Sequence, residues 1–214
     1  MHTTAKKNKE IISLCISIVI VILEVIGAMM STWVVPLKQF MYYTQNSNYL
    51  LLIATLIWIV CILRYLRDGV RIPRWVYLLK YMATSMVSLT FLVAFFVLGI
   101  MCGDVVGMML INMYIYFHTL CPLLAVVDFL FFERGQEWKK IHVVMAMVPT
   151  LVYGVIAILM NLLRIWNGPY PFLLVYENPV WLSCLSAVAI PGLALIVALL
   201  LRAGNSAFTR EYTY

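Results

Sequence analysis

Six long apolar stretches dominate this chain, and each is long enough to cross a lipid bilayer. A hydrocarbon core about 30 Å thick requires around 20 mostly apolar residues per helical span. We place the spans at 11–34, 40–63, 76–101, 110–132, 141–163 and 180–201. Hydrophobic residues make up 64% of the 214 residues and charged residues only 11%, a balance that no water-soluble fold could accommodate. The sequence therefore predicts an all-α, polytopic membrane protein whose six transmembrane helices form one bundle.

The basic residues fall almost entirely on one side of this arrangement. With the N-terminus inside, all of the 15 Lys and Arg residues except Lys38 and Arg164 lie on the inner side. Cytoplasmic loops carry such an excess, so both termini are expected in the cytoplasm. We expect a cytoplasmic segment at 1–10, the transmembrane domain at 11–202 and a polar, loosely ordered cytoplasmic tail at 203–214. The net charge of +6 then reflects orientation and attraction to anionic lipids rather than a nucleic-acid partner.

The lysines that precede the first apolar stretch resemble the start of a secretion signal. That stretch runs for about 24 residues, however, against about 7 to 15 in the core of a signal peptide, and no small-x-small cleavage site closes it. We therefore expect a retained first helix in a multi-pass protein of the cell membrane. The five cysteines show no paired spacing, so neither a disulfide framework nor a metal cluster is indicated, and no cofactor is expected.

A polar patch, Tyr-Tyr-Thr-Gln-Asn-Ser-Asn-Tyr at 42–49, lies where the second span enters the membrane from outside. At helical spacing Thr44, Ser47 and Asn48 share one face. One interpretation is a nucleophilic hydroxyl, with Asn48 or a backbone N–H available to stabilise an oxyanion. The other is that these side chains cap the helix and bind its neighbours, as such residues commonly do in membranes.

His118 and Glu24 are ionisable residues inside apolar spans, where such groups mark functional sites by default. At a rise of 1.5 Å per residue, His118 lies about 10 Å below the outer edge, Thr44 about 6 Å and Glu24 about 15 Å. A neutral imidazole at that depth can take the proton of a Thr hydroxyl. Glu24 could orient the imidazole, or it could be protonated and structural. A lone buried His is otherwise an interhelical hydrogen-bonding residue.

Two further features lie near the membrane faces. Asp128 sits near the inner end of the fourth span, where we expect it to pair with an inner arginine such as Arg64 or Arg134. The outer loop at 164–179 contains Gly-Pro-Tyr-Pro-Phe at 168–172, which cannot continue a helix and whose aromatic residues suit the membrane interface. This loop is either an interfacial anchor or a lid over an outward-facing site.

These features together resemble the androgen-induced membrane hydrolase family, which includes the androgen-dependent TFPI-regulating protein, and more closely its bacterial relatives. The matching stretches are Tyr-Thr-Gln-Asn-Ser-Asn at 43–48, His-Thr-Leu-Cys-Pro at 118–122, Asp-Phe-Leu-Phe-Phe at 128–132 and Pro-Tyr-Pro-Phe at 169–172. The resemblance implies that Thr44 is a nucleophile and His118 its base, a pair that in the animal members cleaves fatty-acid esters of hydroxy fatty acids. Glu24 falls in none of the matching stretches.

Three functions stay open at this point. The first is an intramembrane threonine hydrolase, or an acyltransferase with the same acyl-enzyme step, that acts on an acyl-ester lipid. The second is a small proton-linked transporter or ligand-binding protein that uses Glu24 and His118. The third is a structural or accessory protein. Membrane lipids are the expected partners in each case, and the sequence leaves the oligomeric state open.

Overall fold

The computed structural model describes residues 2–34, 38–133, 136–166 and 168–210, which are almost wholly helical. The helices are α1 His2–Val34, α2 Tyr43–Asp68, α3 Arg74–Met101, α4 Val105–Leu110, α5 Ile115–Phe131, α6 Lys140–Leu162 and α7 Val180–Arg210. Short 3₁₀ turns lie at Lys38–Met41 and Pro171–Leu173. Within these ranges there is no strand, so the all-helical prediction is confirmed for the part of the chain that is described.

Five of these helices, α1, α2, α3, α6 and α7, are long and apolar enough to cross a membrane. They carry large apolar side chains on their outer surfaces, such as Ile53, Val155 and Val188, each more than half exposed. Such a surface is unfavourable in water and suited to lipid. The chain is therefore a helical, multi-pass membrane protein.

The predicted fourth span begins too early. Residues 111–113 are a turn rather than helix: Ile111 is extended and Asn112 adopts the left-handed conformation with φ 55°. Asn tolerates that conformation better than most residues, so the chain ends α4 there and starts again as α5. The result is a shorter apolar helix, Ile115–Phe131, with α4 beside its outer end. The count of six spans and the orientation stay predictions.

The most buried of the long helices is α3. Small residues allow close packing around it: Ala54, Ala83, Ala125 and Cys121 belong to one buried cluster that joins α1, α2, α3 and α5. On α1, Gly27 leaves room for the ring of Phe117, because a Cβ there would lie 2.7 Å from a ring carbon. This contact holds α1 against the first turn of α5.

The end of the bundle opposite α4 contains a buried charge cluster instead of the expected arginine pair. Lys80 of α3 lies 3.4 Å from Asp128 and 3.0 Å from Glu133, and all three side chains are inaccessible to solvent. Lys80, counted from the sequence only among the basic residues that orient the chain, is therefore the partner of both carboxylates inside the bundle. The prediction of Arg64 as the partner of Asp128 is wrong, and Arg134 lies outside the described residues.

Helix α7 continues past the predicted end of the sixth span. Residues 203–210, expected to be loosely ordered, are helical, and 211–214 lie outside the described part of the chain. The reason is Asn205, which is fully buried: it accepts a hydrogen bond from Trp138 and donates to the backbone carbonyls of Phe129 and Glu133. One polar residue thus fixes the last turns of α7 against α5.

Candidate active site

Thr44 and His118 meet where α2 and α5 begin. The Thr44 Oγ1 atom lies 3.3 Å from His118 Nε2, and both residues are buried, with 8% and 3% of their surface exposed. Each belongs to the first turn of its helix. The sequence predicted this proximity from depth, and the structure brings the two side chains together. Their chemical roles stay predictions.

The second ring nitrogen of His118 determines the tautomer. Its Nδ1 atom lies 2.6 Å from the backbone carbonyl oxygen of Met108. A carbonyl oxygen can only accept, so Nδ1 carries the hydrogen and Nε2 of the neutral ring is left as an acceptor for the Thr44 hydroxyl. The imidazole also stacks on the ring of Tyr114, with centroids 4.9 Å apart. His118 is thus fixed in the orientation and tautomer that a general base requires.

The same contact also has a structural role. Met108 lies in the last turn of α4, whose terminal carbonyls have no partner within the helix. His118 satisfies the carbonyl of Met108, and Thr119 Oγ1 donates to that of Met109 at 2.7 Å. The two side chains therefore tie α4 to α5 through hydrogen bonds that no other described element supplies. The interhelical role that a lone His commonly plays is fulfilled here as well.

Asn48 links the two halves of the site. The first turns of α5 are π-helical, so each backbone carbonyl accepts from the N–H five residues further along. For Phe117 that residue is Pro122, which has no N–H. The carbonyl of Phe117 therefore has no partner within the helix and accepts a hydrogen bond from Asn48 Nδ2 at 3.3 Å. The same amide also donates to the carbonyl of Thr44 at 2.7 Å. Both hydrogens of the Asn48 amide are committed, so the expectation that Asn48 stabilises an oxyanion is not supported by its contacts.

Ser47 is also turned away from the imidazole. Its hydroxyl lies 2.8 Å from the carbonyl of Thr44 and 2.9 Å from Thr90 Oγ1. It fixes α2 against α3, which is the packing role foreseen as the alternative for this patch.

Tyr170 is a functional candidate that reasoning from residue depth did not single out. Its hydroxyl accepts a hydrogen bond from the backbone N–H of Thr44 at 3.3 Å, and its ring is buried. Burial raises the pKa of Tyr170, so the hydroxyl stays protonated. The Pro-Tyr-Pro-Phe stretch was the only signal in the sequence, and it had been interpreted as an anchor or lid.

Glu24 does not contact His118 directly. The Nδ1 atom that a carboxylate would have to orient donates to Met108 instead, and neither carboxyl oxygen of Glu24 has a hydrogen-bond partner. The carboxyl group of Glu24 lies beside the thiol of Cys121, which is one turn after His118 on α5. The proposed Thr44, His118 and Glu24 triad is therefore reduced to a pair, with Met108 as the orienting group.

An apolar cavity of about 260 Å³ begins at Thr44 and extends between α3, α6 and α7. The polar groups near Thr44 are its own hydroxyl and those of Tyr43, Thr150 and Tyr170. The Tyr43 hydroxyl is hydrogen-bonded to Thr150 Oγ1 at 2.6 Å. Leucine, isoleucine, valine and alanine side chains form most of the remaining wall. A cavity of this kind suits a ligand with one polar group and an apolar chain.

Among the described residues no group of three or more His, Cys, Asp or Glu is placed to hold a metal ion. Comparison with known protein families, with curated proteins and with solved structures found no match to this chain. The site must therefore be interpreted from its own geometry.

Proposed function

We propose that this protein is an intramembrane threonine hydrolase that cleaves acyl esters of lipids, with Thr44 as nucleophile and His118 as base. The observation that carries the proposal is the Thr44 hydroxyl, 3.3 Å from an Nε2 acceptor and at the polar end of an apolar cavity. Hydrogen bonds of catalytic pairs are often this long before substrate tightens them. The family resemblance of the stretches around both residues points to the same pair.

In the proposed reaction His118 Nε2 takes the proton of Thr44, and Oγ1 attacks the carbonyl carbon of the ester. The tetrahedral intermediate collapses with cleavage of the bond to the alcohol oxygen, and the imidazolium returns the proton to that oxygen. Water then attacks the acyl-threonine with His118 again as base, which releases the carboxylic acid and restores the Thr44 hydroxyl. An acyltransferase would differ only in replacing this water with another alcohol.

The developing oxyanion needs donors on the cavity side of Thr44. The Tyr170 hydroxyl accepts a hydrogen bond from the Thr44 N–H, which places it beside the nucleophile, and its own O–H can donate a hydrogen bond to the oxyanion. The first N–H groups of α2 are a second source: Tyr42 precedes the helix without a side-chain cap, and a helix N-terminus carries a partial positive charge. These groups take the place that the sequence assigned to Asn48.

The proposal includes six spans, cytoplasmic termini and a site near the outer face of the cell membrane. Native Cys102 is exposed at the end of α3, on the predicted outer side. A membrane-impermeant maleimide should label it in intact cells, and the label should disappear in Cys102→Ser. A cysteine placed at Arg67 should react only after permeabilisation; external labelling there, with none at Cys102, would reverse the orientation.

A proton-linked transporter is the alternative that the buried carboxyl groups favour, since Glu24, Asp128 and Glu133 are all inaccessible to solvent. Such a protein needs a polar path across the bundle. The cluster of Ile20, Leu51, Ala83, Val87, Cys121 and their neighbours is buried between the outer site and the inner charge cluster. This apolar layer counts against a continuous path.

The test is ester hydrolysis by purified protein in lipid nanodiscs. Thr44→Ala and His118→Ala should each abolish turnover, and the double variant should be no worse, because nucleophile and base act as one unit. Thr44→Ser keeps the hydroxyl and should retain part of the activity. Thr84→Ala is the matched control, since its hydroxyl is buried without a partner and lies outside the site. Full turnover by Thr44→Ala would disprove the proposed nucleophile.

A further inference from the structure

The cavity next to Thr44 is not closed on the side of the bilayer. Leu151 and Val155 of α6 and Ala187 of α7 line it, yet all three are exposed, Val155 by 59%. Residues that line a cavity and also face the lipid mark an opening in the wall. That opening lies between α6 and α7, with the aromatic turn at 170–173 above it.

We propose that one acyl chain of a membrane lipid enters the cavity sideways from the bilayer through this opening, and that Gly154 determines how long a chain it holds. Cleavage of the bound lipid rests on the proposed function, whereas binding of the chain can be measured independently. The lipid chain is the occupant because the opening faces the hydrocarbon and because the wall beyond Thr44 is almost wholly apolar.

The size of the cavity limits the occupant to one chain. A water molecule occupies about 30 Å³ in the liquid, and a methylene group is of similar size, so 260 Å³ holds on the order of nine such groups. A longer chain must leave its end in the opening between α6 and α7. A second chain of the same lipid would have to stay in the bilayer.

Gly154 is where the length of the chain can be changed without disturbing the fold. It lines the cavity one residue before the exposed Val155, and a Cβ built on it has no atom within 4 Å. A larger side chain would therefore fill the cavity instead of clashing with a neighbour. Gly192 of α7 is the matched control: it is equally open, but it is exposed and does not line the cavity. Leucine favours a helix more than glycine does, so both variants should fold.

The first measurement is hydrolysis of p-nitrophenyl butyrate and palmitate by wild type, Gly154→Leu and Gly192→Leu in nanodiscs. Gly154→Leu should lower kcat/KM for palmitate relative to butyrate by about tenfold or more, because the apolar contacts of the longer chain are lost. Gly192→Leu should leave the ratio unchanged. An equal effect of Gly154→Leu on both esters would overturn the chain-length role while leaving the hydrolase proposal intact.

The second measurement does not depend on activity. A palmitic acid with a photoactivatable diazirine near its end should crosslink in wild-type protein to α6 and α7 residues that line the opening, and Gly154→Leu should reduce this labelling while Gly192→Leu does not. Labelling in this pattern without any ester hydrolysis would support the acyl-chain site and contradict the proposal that the protein is a hydrolase. Labelling spread evenly over lipid-facing helices, or unaffected by Gly154→Leu, would overturn the inference.

Discussion

Asn48→Ala separates positioning from catalysis at the candidate site. The amide donates to two buried carbonyls, those of Thr44 at 2.7 Å and Phe117 at 3.3 Å, and the second bond joins α2 to α5. Polar contacts between membrane helices average about 0.6 kcal/mol and reach about 1.7. Loss of the bond between α2 and α5 should therefore lower the free energy of unfolding by about 1–2 kcal/mol. Neither hydrogen is free for an oxyanion, so kcat should fall by less than about tenfold, against the 10²–10³ expected for an oxyanion donor.

The assay combines thermal unfolding in detergent, followed by tryptophan fluorescence, with ester turnover well below the Tm. Asn46→Ala is the control, because Asn46 also donates to two backbone carbonyls, but both belong to its own segment, at Phe40 and Tyr42. Asn48→Ala should lose more stability than Asn46→Ala. An unchanged Tm together with a hundredfold loss of kcat would refute the assignment of Asn48 as a link between helices and return it to the oxyanion site.

Three further substitutions test individual contacts. Tyr170→Phe removes only a hydroxyl and should lower kcat for ester hydrolysis by about tenfold to a hundredfold with little change in Tm; unchanged kcat would exclude it as an oxyanion donor. Glu24→Gln should keep kcat within about twofold of wild type, since the imidazole is oriented by Met108 and not by this carboxyl group, and a large loss would restore a triad. Lys80→Met leaves Asp128 and Glu133 without their cation and should cost about 3–5 kcal/mol in chemical unfolding. Neutralising both carboxyl groups in the same protein should recover most of that stability, and no recovery would contradict the ion-pair explanation.

The membrane-spanning helices could be predicted from the sequence because length and apolarity alone define them. The proximity of Thr44 and His118 followed from a simpler rule, that buried polar groups at similar depth in a small bundle tend to find each other. Both inferences depend on local composition. Neither requires knowledge of how the helices are arranged around α3.

The remaining features depend on that arrangement. The left-handed turn at Asn112 sits inside an apolar run, where no local pattern predicts the end of a helix. The carbonyl of Met108 could therefore not be foreseen as the partner of His118. Lys80 was counted among the basic residues of the inner side because it lies near the start of the predicted third span, although its side chain is fully buried in the bundle. Tyr170 reaches Thr44 across 126 positions of chain, a contact that no local pattern encodes.

Covalent labelling tests the central claim most directly. A fluorophosphonate lipid-ester mimic reacts with an activated hydroxyl and marks the residue that carries it, which peptide mass spectrometry can then locate. The account predicts one adduct, on Thr44, in wild-type protein in nanodiscs, and none in His118→Ala, where the hydroxyl remains but its base is gone. An adduct on Ser47, or equal labelling of wild type and Thr44→Ala, would contradict it.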